Sequence, residues 1–318
     1  MAQEQDAGNR DRQVFLQDCL AGLGTAPPQL QPKYFYDAQG SALFDQICEL
    51  PEYYLTRTGL AIMQAYAPEM GAAVGPGALI IEPGSGSSIK IRLLLDGLPE
   101  PAGYVPVDIS AGHLEASAAA LAADYPDLVI EPVAADFTQP FDLPATLPAC
   151  QRRLIYFPGS TLGNFEPPLA VRWLRQMRKL AGADGALLLG VDMVKDAAVL
   201  EAAYDDAQGV TAAFNRNLLT RMRRELGARL DPDGFAHRAL WNATESRIEM
   251  HLVAVGPQLI ELGGRRFALR DGEHIVTEYS YKYGLRGLHD LAAESGFELA
   301  QRWTDADGWF SVSLLQAV

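Results

Sequence analysis

Short apolar runs alternate with helix-periodic segments through the middle of this chain, and this order limits the fold more than any other feature. The apolar runs occupy residues 78–82, 104–108, 129–134, 153–157 and 186–191. Strands that alternate with helices form a parallel sheet with helices on both faces, because each helix carries the chain back to the same edge. The sequence therefore predicts an α/β fold with a doubly wound sheet.

The segments around these strands also show regular periodicity. Apolar residues at helical spacing predict helices over 13–24, 44–50, 57–73, 90–98, 111–123, 168–181, 197–229 and 288–295. Alternating patterns predict strands over 247–255, 274–283, 299–303 and 310–315. The mixture of helix and strand in 197–282 indicates a second, α+β domain.

Composition excludes several classes of partner. The 318 residues carry a formal net charge of -14, whereas phosphate binding needs patches of Lys and Arg. Cys19, Cys48 and Cys150 are too far apart for a zinc site, and we expect reduced thiols in a cytoplasmic protein. The sequence has no signal-peptide pattern and no apolar run of about 18 residues. We expect a monomer with a small-molecule substrate, and no metal, nucleic-acid or membrane partner.

Polar groups follow three successive predicted strands, where parallel sheets bind ligands. A glycine-rich turn, 84–86, follows the first strand, Asp108 ends the second, and Asp136-Phe137 follow the third. A carboxylate can accept hydrogen bonds from ribose hydroxyls, and an acid with an aromatic ring can hold adenine. Each feature alone is typical of an ordinary turn or cap. Together they indicate a nucleoside, and the absence of a full GxGxxG favours S-adenosylmethionine (SAM) over NAD.

Further short motifs are spread along the chain. They are Tyr34-Phe35-Tyr36-Asp37, Gly40-Ser41-Ala42-Leu43-Phe44-Asp45, Leu50-Pro51-Glu52-Tyr53-Tyr54-Leu55-Thr56-Arg57, Gly84-Ser85-Gly86-Ser87-Ser88-Ile89-Lys90, Gly159-Ser160-Thr161-Leu162-Gly163-Asn164, Ala203-Tyr204-Asp205-Asp206, Phe214-Asn215-Arg216-Asn217 and Thr277-Glu278-Tyr279-Ser280. Through these motifs the sequence, from about residue 30 to its end, resembles the histidine Nα-methyltransferases of ergothioneine biosynthesis.

The resemblance implies a fold, a domain division and a reaction. It implies a Rossmann-like SAM-dependent methyltransferase domain at 57–195 plus 283–318, and an α+β substrate-binding domain at 8–56 plus 196–282. The implied reaction is three successive methylations of the α-amino group of L-histidine. The product would be trimethylhistidine (hercynine), in the first step of ergothioneine biosynthesis.

The resemblance also implies which residues form the site. The cofactor residues would be Gly84, Ser85, Lys90, Asp108, Asp136 and Phe137. The substrate residues would be Tyr36, Phe44, Tyr53, Gly159, Asn164, Tyr204, Thr211, Met250, Glu278 and Ser280. In that scheme Asn164 and Tyr204 hold the carboxylate, and Tyr53 acts as the catalytic residue beside the amine. Glu278 and Ser280 hold the imidazole.

The spacing of Glu278 and Ser280 agrees with that role if residues 277–283 form a strand. Side chains two apart then lie on one face, where a carboxylate and a hydroxyl can bond both imidazole nitrogens. The alternative from the pattern alone is a solvent-facing Glu278 and Ser280 with the tyrosines turned inward.

Two other groups have alternative interpretations. Tyr204, Thr211 and Asn215 have the spacing of one helix face, which lines either a cavity or solvent. Tyr53-Tyr54 is equally consistent with core aromatics.

Two other functions are compatible with the sequence. In a second enzyme hypothesis the fold is the same, but the protein methylates another aromatic amino acid, such as tryptophan. A third is a SAM-binding regulator that has lost catalysis. For the enzyme we expect neither a metal nor a covalent intermediate.

Overall fold

The protein is described here by a computed structural model that covers residues 2–86 and 89–318. Ser87 and Ser88, which belong to the glycine-serine motif, lie outside these described residues. The helices are α1 (Ala2–Gly22), α2 (Ala38–Glu49), α3 (Tyr54–Val74), α4 (Ile89–Gly97), α5 (Ala111–Asp124), α6 (Pro167–Ala181), α7 (Ala197–Tyr204), α8 (Val210–Leu226) and α9 (Leu285–Glu294). The strands are β1 (Ala78–Pro83), β2 (Gly103–Asp108), β3 (Val133–Ala134), β4 (Arg152–Phe157), β5 (Ala186–Asp192), β6 (Phe235–Asn242), β7 (Arg247–Ala254), β8 (Gln258–Leu262), β9 (Arg265–Leu269), β10 (His274–Tyr281), β11 (Phe297–Thr304) and β12 (Phe310–Ala317).

The chain divides into two compact units. The first unit contains the residues up to Tyr54 together with Lys195–Tyr281. The second unit contains Leu55–Val194 together with Lys282–Val318. The chain therefore leaves the first unit after α2, builds most of the second, returns for 195–281 and ends in the second.

The second unit is built on a seven-stranded sheet in the order β11-β12-β5-β4-β1-β2-β3. The strands β1 to β5 pair in parallel, and β12 and β11 complete the sheet with antiparallel pairings. The order reverses between β1 and β4, so the carboxyl ends of these strands form a topological switch point. This architecture confirms the predicted α/β, doubly wound fold.

Successive residues of β1 supply opposite faces of this sheet, because side chains alternate along a strand. Ile80 packs in a cluster with Ile62 of α3 and Leu94 of α4. Ile81 packs in a second cluster with Trp173 of α6 and Leu288 of α9. Helices on both sides explain why every residue of β1 is buried and why the strand is a continuous apolar run.

Two sequence-based expectations about elements need correction. The third predicted strand, 129–134, is only a two-residue pairing at Val133–Ala134. The predicted helix over 197–229 is two helices, α7 and α8, separated at 205–209. Gly209 has a φ of 74°, which a helix cannot contain. The Asp206 carboxylate accepts hydrogen bonds from the backbone N–H groups of Val210 and Thr211 and so starts α8.

The first unit contains a three-stranded antiparallel sheet, β10-β7-β6, and a separate hairpin of β8 and β9. Helix α8 packs against β6, β7 and α2. A bulge between Val276 and Glu278 shifts the register of β10 against β7. Within the part of the chain that the structure describes, no helix is long and apolar enough to cross a membrane.

A buried histidine makes the stability of this sheet dependent on pH. The His251 ring is 6% exposed, stacks on His274 at 4.1 Å between centroids, and places Nε2 3.1 Å from Glu249 Oε2. Burial, followed by His274 and opposed by Glu249, lowers the pKa of His251 from 6.5 to about 4. The unfolded chain therefore binds this proton at a higher pH than the folded chain does.

We expect the free energy of unfolding to fall as the pH drops from 6.5 towards 4, by about 3 kcal/mol from His251 alone. The comparison is urea unfolding across this range for the native chain and for His251→Gln, which keeps a donor for Glu249 but cannot titrate. The variant should show a flatter pH dependence. His289→Gln, at a side chain that is 64% exposed, is the control and should follow the native curve.

Candidate functional site

The glycine turn after β1 is shaped by close packing against an aromatic ring. Gly84 has a φ of 68°, and its N–H donates to the Val107 carbonyl at 2.7 Å. A Cβ at this position would lie 3.0 Å from a ring carbon of Phe137. Only glycine avoids both the strained backbone and the contact.

This geometry predicts that Gly84→Ala destabilises the second unit by about 1–2 kcal/mol in urea unfolding. Gly287→Ala is the matched control, because a Cβ there meets nothing within 4 Å and the residue lies in α9. It should leave stability unchanged or raise it by about 0.5–1 kcal/mol, since alanine favours a helix. Equal effects of the two substitutions would contradict this account of Gly84.

Two carboxylates follow the neighbouring strands at the same edge of the sheet. Asp108 ends β2, and its Oδ1 accepts from the Ser110 N–H at 2.9 Å. Asp136 follows β3, and its Oδ1 accepts from the N–H and the hydroxyl of Thr138 at 2.9 and 2.6 Å. Both side chains are fixed in direction through Oδ1, and neither set of bonds uses Oδ2. Each carboxylate therefore keeps an oxygen with which to accept hydrogen bonds from a ligand.

The aromatic and basic residues predicted for the cofactor lie in the same unit. Phe137 is half-buried, with its ring 5.9 Å from that of Phe157. Lys90 is the second residue of α4, with Nζ 6.0 Å from the Phe310 ring. Ser85 is buried, and its N–H donates to Val107.

Sequence reasoning missed a buried acid beside this edge. Glu82 is 4% exposed on β1, and the Tyr104 hydroxyl donates to its Oε2. Burial raises the pKa of Glu82 to about 8, although Tyr104 and Lys90 oppose the shift. Removal from water therefore favours the neutral form of Glu82. The available signal was an acid at the end of an otherwise apolar strand.

The groups at this edge of the sheet match the hydrogen-bonding groups and the adenine ring of SAM. Two oriented carboxylates can accept from the ribose hydroxyls and the adenine amino group. A glycine turn without side chains allows close approach of a ligand, and a half-exposed ring can cover adenine. The observation that decides the fit is the pair of carboxylates fixed through one oxygen each.

A cluster of aromatic rings lies in the first unit. Tyr36 and Phe44 are 5.5 Å apart between centroids, Phe44 and Tyr53 are 6.2 Å apart, and Tyr53 and Tyr204 are 6.2 Å apart, all edge-on. We call these four residues the aromatic cluster. Burial raises the pKa of Tyr53 well above its usual value, and the electrostatic effect of the nearby Tyr204 is the next largest cause. The Tyr53 phenol is therefore protonated throughout the physiological range.

Glu278 and Ser280 lie beside this cluster on one face of β10. They pair with Met250 and Ile248 of β7, and they are only 9% and 3% exposed. The Ser280 and Tyr204 hydroxyl oxygens are 2.8 Å apart. Burial of both side chains contradicts the alternative of a solvent-facing pair, although Tyr281 is buried as well.

The remaining predicted substrate residues are divided between the units. Thr211 on α8 and Met250 on β7 are buried in the first unit. Gly159, which follows β4, and Asn164, which ends a short 3₁₀ helix, belong to the second unit. The single helix face expected for Tyr204, Thr211 and Asn215 is wrong, because Tyr204 ends α7 and the other two residues lie on α8.

Tyr54 provides a contrast with its neighbour Tyr53. It is 1% exposed, and its hydroxyl accepts from Lys195 Nζ at 2.7 Å. The core interpretation therefore holds for Tyr54. Among the described residues, no group of three His, Cys, Asp or Glu side chains is arranged to hold a metal ion.

Known proteins resemble this chain over nearly its whole length. A family model described as "Histidine-specific methyltransferase, SAM-dependent" matches residues 15–317. The histidine N-alpha-methyltransferase of Mycolicibacterium smegmatis is 42% identical over 313 residues, covering 97% of this chain and 96% of that protein. The protein of the same name from Mycobacterium tuberculosis is 41% identical over 315 residues, covering 98% and 96%. Ergothioneine biosynthesis protein 1 of Neurospora crassa is 29% identical over 297 residues, which cover 87% of this chain and 32% of that longer protein. This chain therefore belongs to the family of SAM-dependent, histidine-specific methyltransferases.

Proposed function

We propose that the protein transfers three methyl groups from SAM to the α-amino group of L-histidine, giving hercynine in the first step of ergothioneine biosynthesis. Membership of the family supports the cofactor and the substrate class. The observation that carries the choice of histidine is the buried pair Glu278 and Ser280 on one strand face beside the aromatic cluster. A carboxylate and a hydroxyl on one strand face can together bond a ring that presents an N–H and a second nitrogen.

The imidazole of histidine provides such matching groups. In the proposed site Glu278 accepts from the N–H of the ring, and Ser280 bonds the other nitrogen. Tyr204 lies within hydrogen-bond distance of Ser280 and fixes the direction of its hydroxyl. Phenylalanine, which has no ring nitrogen, would leave Glu278 and Ser280 without these partners.

The cofactor would be held by the second unit, through Gly84, Ser85, Lys90, Asp108, Asp136 and Phe137. When bound, SAM supplies a methyl group that its sulfonium already activates. The protein then has to orient the amine rather than activate the carbon, and orientation accounts for much of the rate. No metal and no covalent intermediate are required.

Tyr53 would be the catalytic residue. Because its phenol stays protonated, it acts as a hydrogen-bonding partner of the neutral amine and not as a base. Accepting an N–H through the phenol oxygen leaves the lone pair of the amine free to attack. After each of the first two transfers the methylated nitrogen releases one proton to water, so an N–H has been replaced by a methyl group, whereas the third transfer to the tertiary amine releases none. An aromatic wall therefore suits the later methylations better than a ring of hydrogen-bonding groups.

The proposed domains keep the boundaries expected from the sequence, which differ slightly from those of the two units. The SAM-binding domain comprises 57–195 plus 283–318, and the substrate-binding domain comprises 8–56 plus 196–282. Within the latter, Tyr36, Phe44, Thr211 and Met250 would surround the ring. Asn164 and Tyr204 would hold the carboxylate, and Gly159 would line the site. We further propose a cytoplasmic monomer without nucleic-acid or membrane partners, in keeping with the net charge of -14.

The test of this function is a screen of methyl acceptors. The protein is incubated with SAM and each of the amino acids in turn, and the products are weighed by mass spectrometry. Histidine should gain three methyl groups, whereas tryptophan and phenylalanine should gain none. Methylation of tryptophan in preference to histidine would support the second enzyme hypothesis. SAM binding without methylation of any amino acid would indicate a regulator.

A further inference from the structure

A buried hydrogen-bond network joins α8, β6 and the end of α7 in the first unit. Asn215 is 0% exposed, and its Nδ2 lies 3.1 Å from the backbone carbonyl of His251 and 2.8 Å from His237 Nδ1. The other ring nitrogen, His237 Nε2, lies 2.8 Å from the backbone carbonyl of Tyr204. The His237 side chain is 1% exposed.

The carbonyl groups at the two ends of this network determine its protons. The His251 carbonyl only accepts, so the nitrogen and not the oxygen of the Asn215 amide faces it. The same Nδ2 then donates its second hydrogen to His237 Nδ1, which must accept. His237 therefore carries its proton on Nε2 and donates it to the Tyr204 carbonyl.

The charged groups around His237 are compatible with this neutral ring. Burial lowers the pKa of His237 from its usual value, although the Tyr204 carbonyl and the carboxylates of Asp205 and Asp206 oppose the shift. Arg216 adds to the lowering. Asp205 Oδ1 is 3.8 Å from Nε2 and belongs to a half-exposed side chain, which solvent screens.

The network ends on the residue whose phenol reaches the proposed substrate pair. Tyr204 is the last residue of α7, where the helix stops and its carbonyls lose their intrahelical partners. His237 satisfies one of these carbonyls and fixes the backbone from which the Tyr204 ring extends to Ser280. The Asp206 carboxylate, bonded to the first turn of α8, holds the chain on the other side.

We propose that Asn215 and His237 form a positioning pair that sets the direction of the Tyr204 phenol and so determines affinity for the amino acid substrate. Neither residue touches the substrate in this account. The proposal rests on the proposed function. It adds two residues that have no direct ligand role to the determinants of substrate recognition.

The test compares two substitutions of His237 with a control substitution of His274, each in the full chain. His237→Leu removes the donor to the Tyr204 carbonyl, and we expect the KM for histidine to rise about tenfold because a buried acceptor loses its partner. The kcat at saturating histidine and the Kd of SAM should change by less than about twofold. His237→Gln keeps a donor near the position of Nε2 and should restore KM to within about threefold of the native value. His274→Gln, in the same sheet, is the control and should leave KM unchanged.

A double-mutant cycle separates positioning from a general loss of structure. If His237 acts through the Tyr204 phenol, His237→Leu should raise KM by less than about twofold in a Tyr204→Phe background. A tenfold increase in both backgrounds would overturn the proposal, as would an unchanged KM in His237→Leu. If His237→Leu does not fold, the test uses His237→Gln. A KM for histidine in His237→Gln as high as that of Tyr204→Phe would contradict the proposal, because glutamine should replace the donor to the Tyr204 carbonyl. The proposed function is tested separately with the unsubstituted protein. If that protein does not methylate histidine, the proposed function is refuted.

Discussion

Replacing Glu278 with alanine is expected to raise the KM for histidine about 100-fold, because the imidazole loses a charged acceptor inside a buried site. The Kd of SAM should stay within about twofold of its native value, since Glu278 belongs to the first unit and the proposed cofactor residues to the second. Steady-state kinetics with histidine varied, and calorimetry with SAM, measure the two quantities. The isosteric Glu278→Gln keeps an uncharged acceptor and should fall between the native protein and the alanine variant.

The control is Glu273→Ala, which removes a carboxylate paired with Arg270 before the start of β10. It should leave the KM for histidine unchanged. If the KM for histidine is unaltered in Glu278→Ala, the imidazole does not bind at β10. The substrate assignment would then lose its main support. A parallel loss of SAM affinity would indicate a structural defect.

Replacing Asp108 with alanine is expected to weaken SAM binding about 100-fold, because a carboxylate that accepts from two hydroxyls contributes two charge-assisted hydrogen bonds. Its Oδ1 is already fixed by the Ser110 N–H, so the carboxylate needs little rearrangement to bind a ligand. At saturating SAM the KM for histidine should return to near its native value. Calorimetric titration with SAM gives the Kd directly.

Asp127→Ala is the matched control, since Asp127 is exposed between α5 and β3. A SAM affinity that is equal in Asp108→Ala and Asp127→Ala would exclude the ribose from the end of β2. The two predictions are independent because they address different ligands.

The central sheet and the face of β10 were predictable from the sequence for physical reasons. A parallel strand covered by helices on both sides must be a continuous apolar run, as residues 78–82 are. Side chains alternate along any strand, so the 277–280 pattern placed Glu278 and Ser280 on one face. The choice between their buried and exposed orientations needed the structure, because the tyrosines between and after them also suit an interior.

Other features depend on contacts that are distant in sequence. The break between α7 and α8 depends on the Asp206 cap and on Gly209, which helical periodicity does not detect. The role of Asn215 depends on His237, which lies 22 residues away on β6. The buried carboxyl group of Glu82 accepts a hydrogen bond from Tyr104 in the neighbouring strand. Propensity and periodicity describe single elements, and each of these residues acts through a partner on another.

The most direct measurement of the central claim is a crystal structure of the protein with S-adenosylhomocysteine and histidine. The account predicts an imidazole ring within hydrogen-bond distance of both Glu278 and Ser280, with the phenol of Tyr53 near the α-amino nitrogen. A histidine bound elsewhere, with solvent between Glu278 and Ser280, would contradict it.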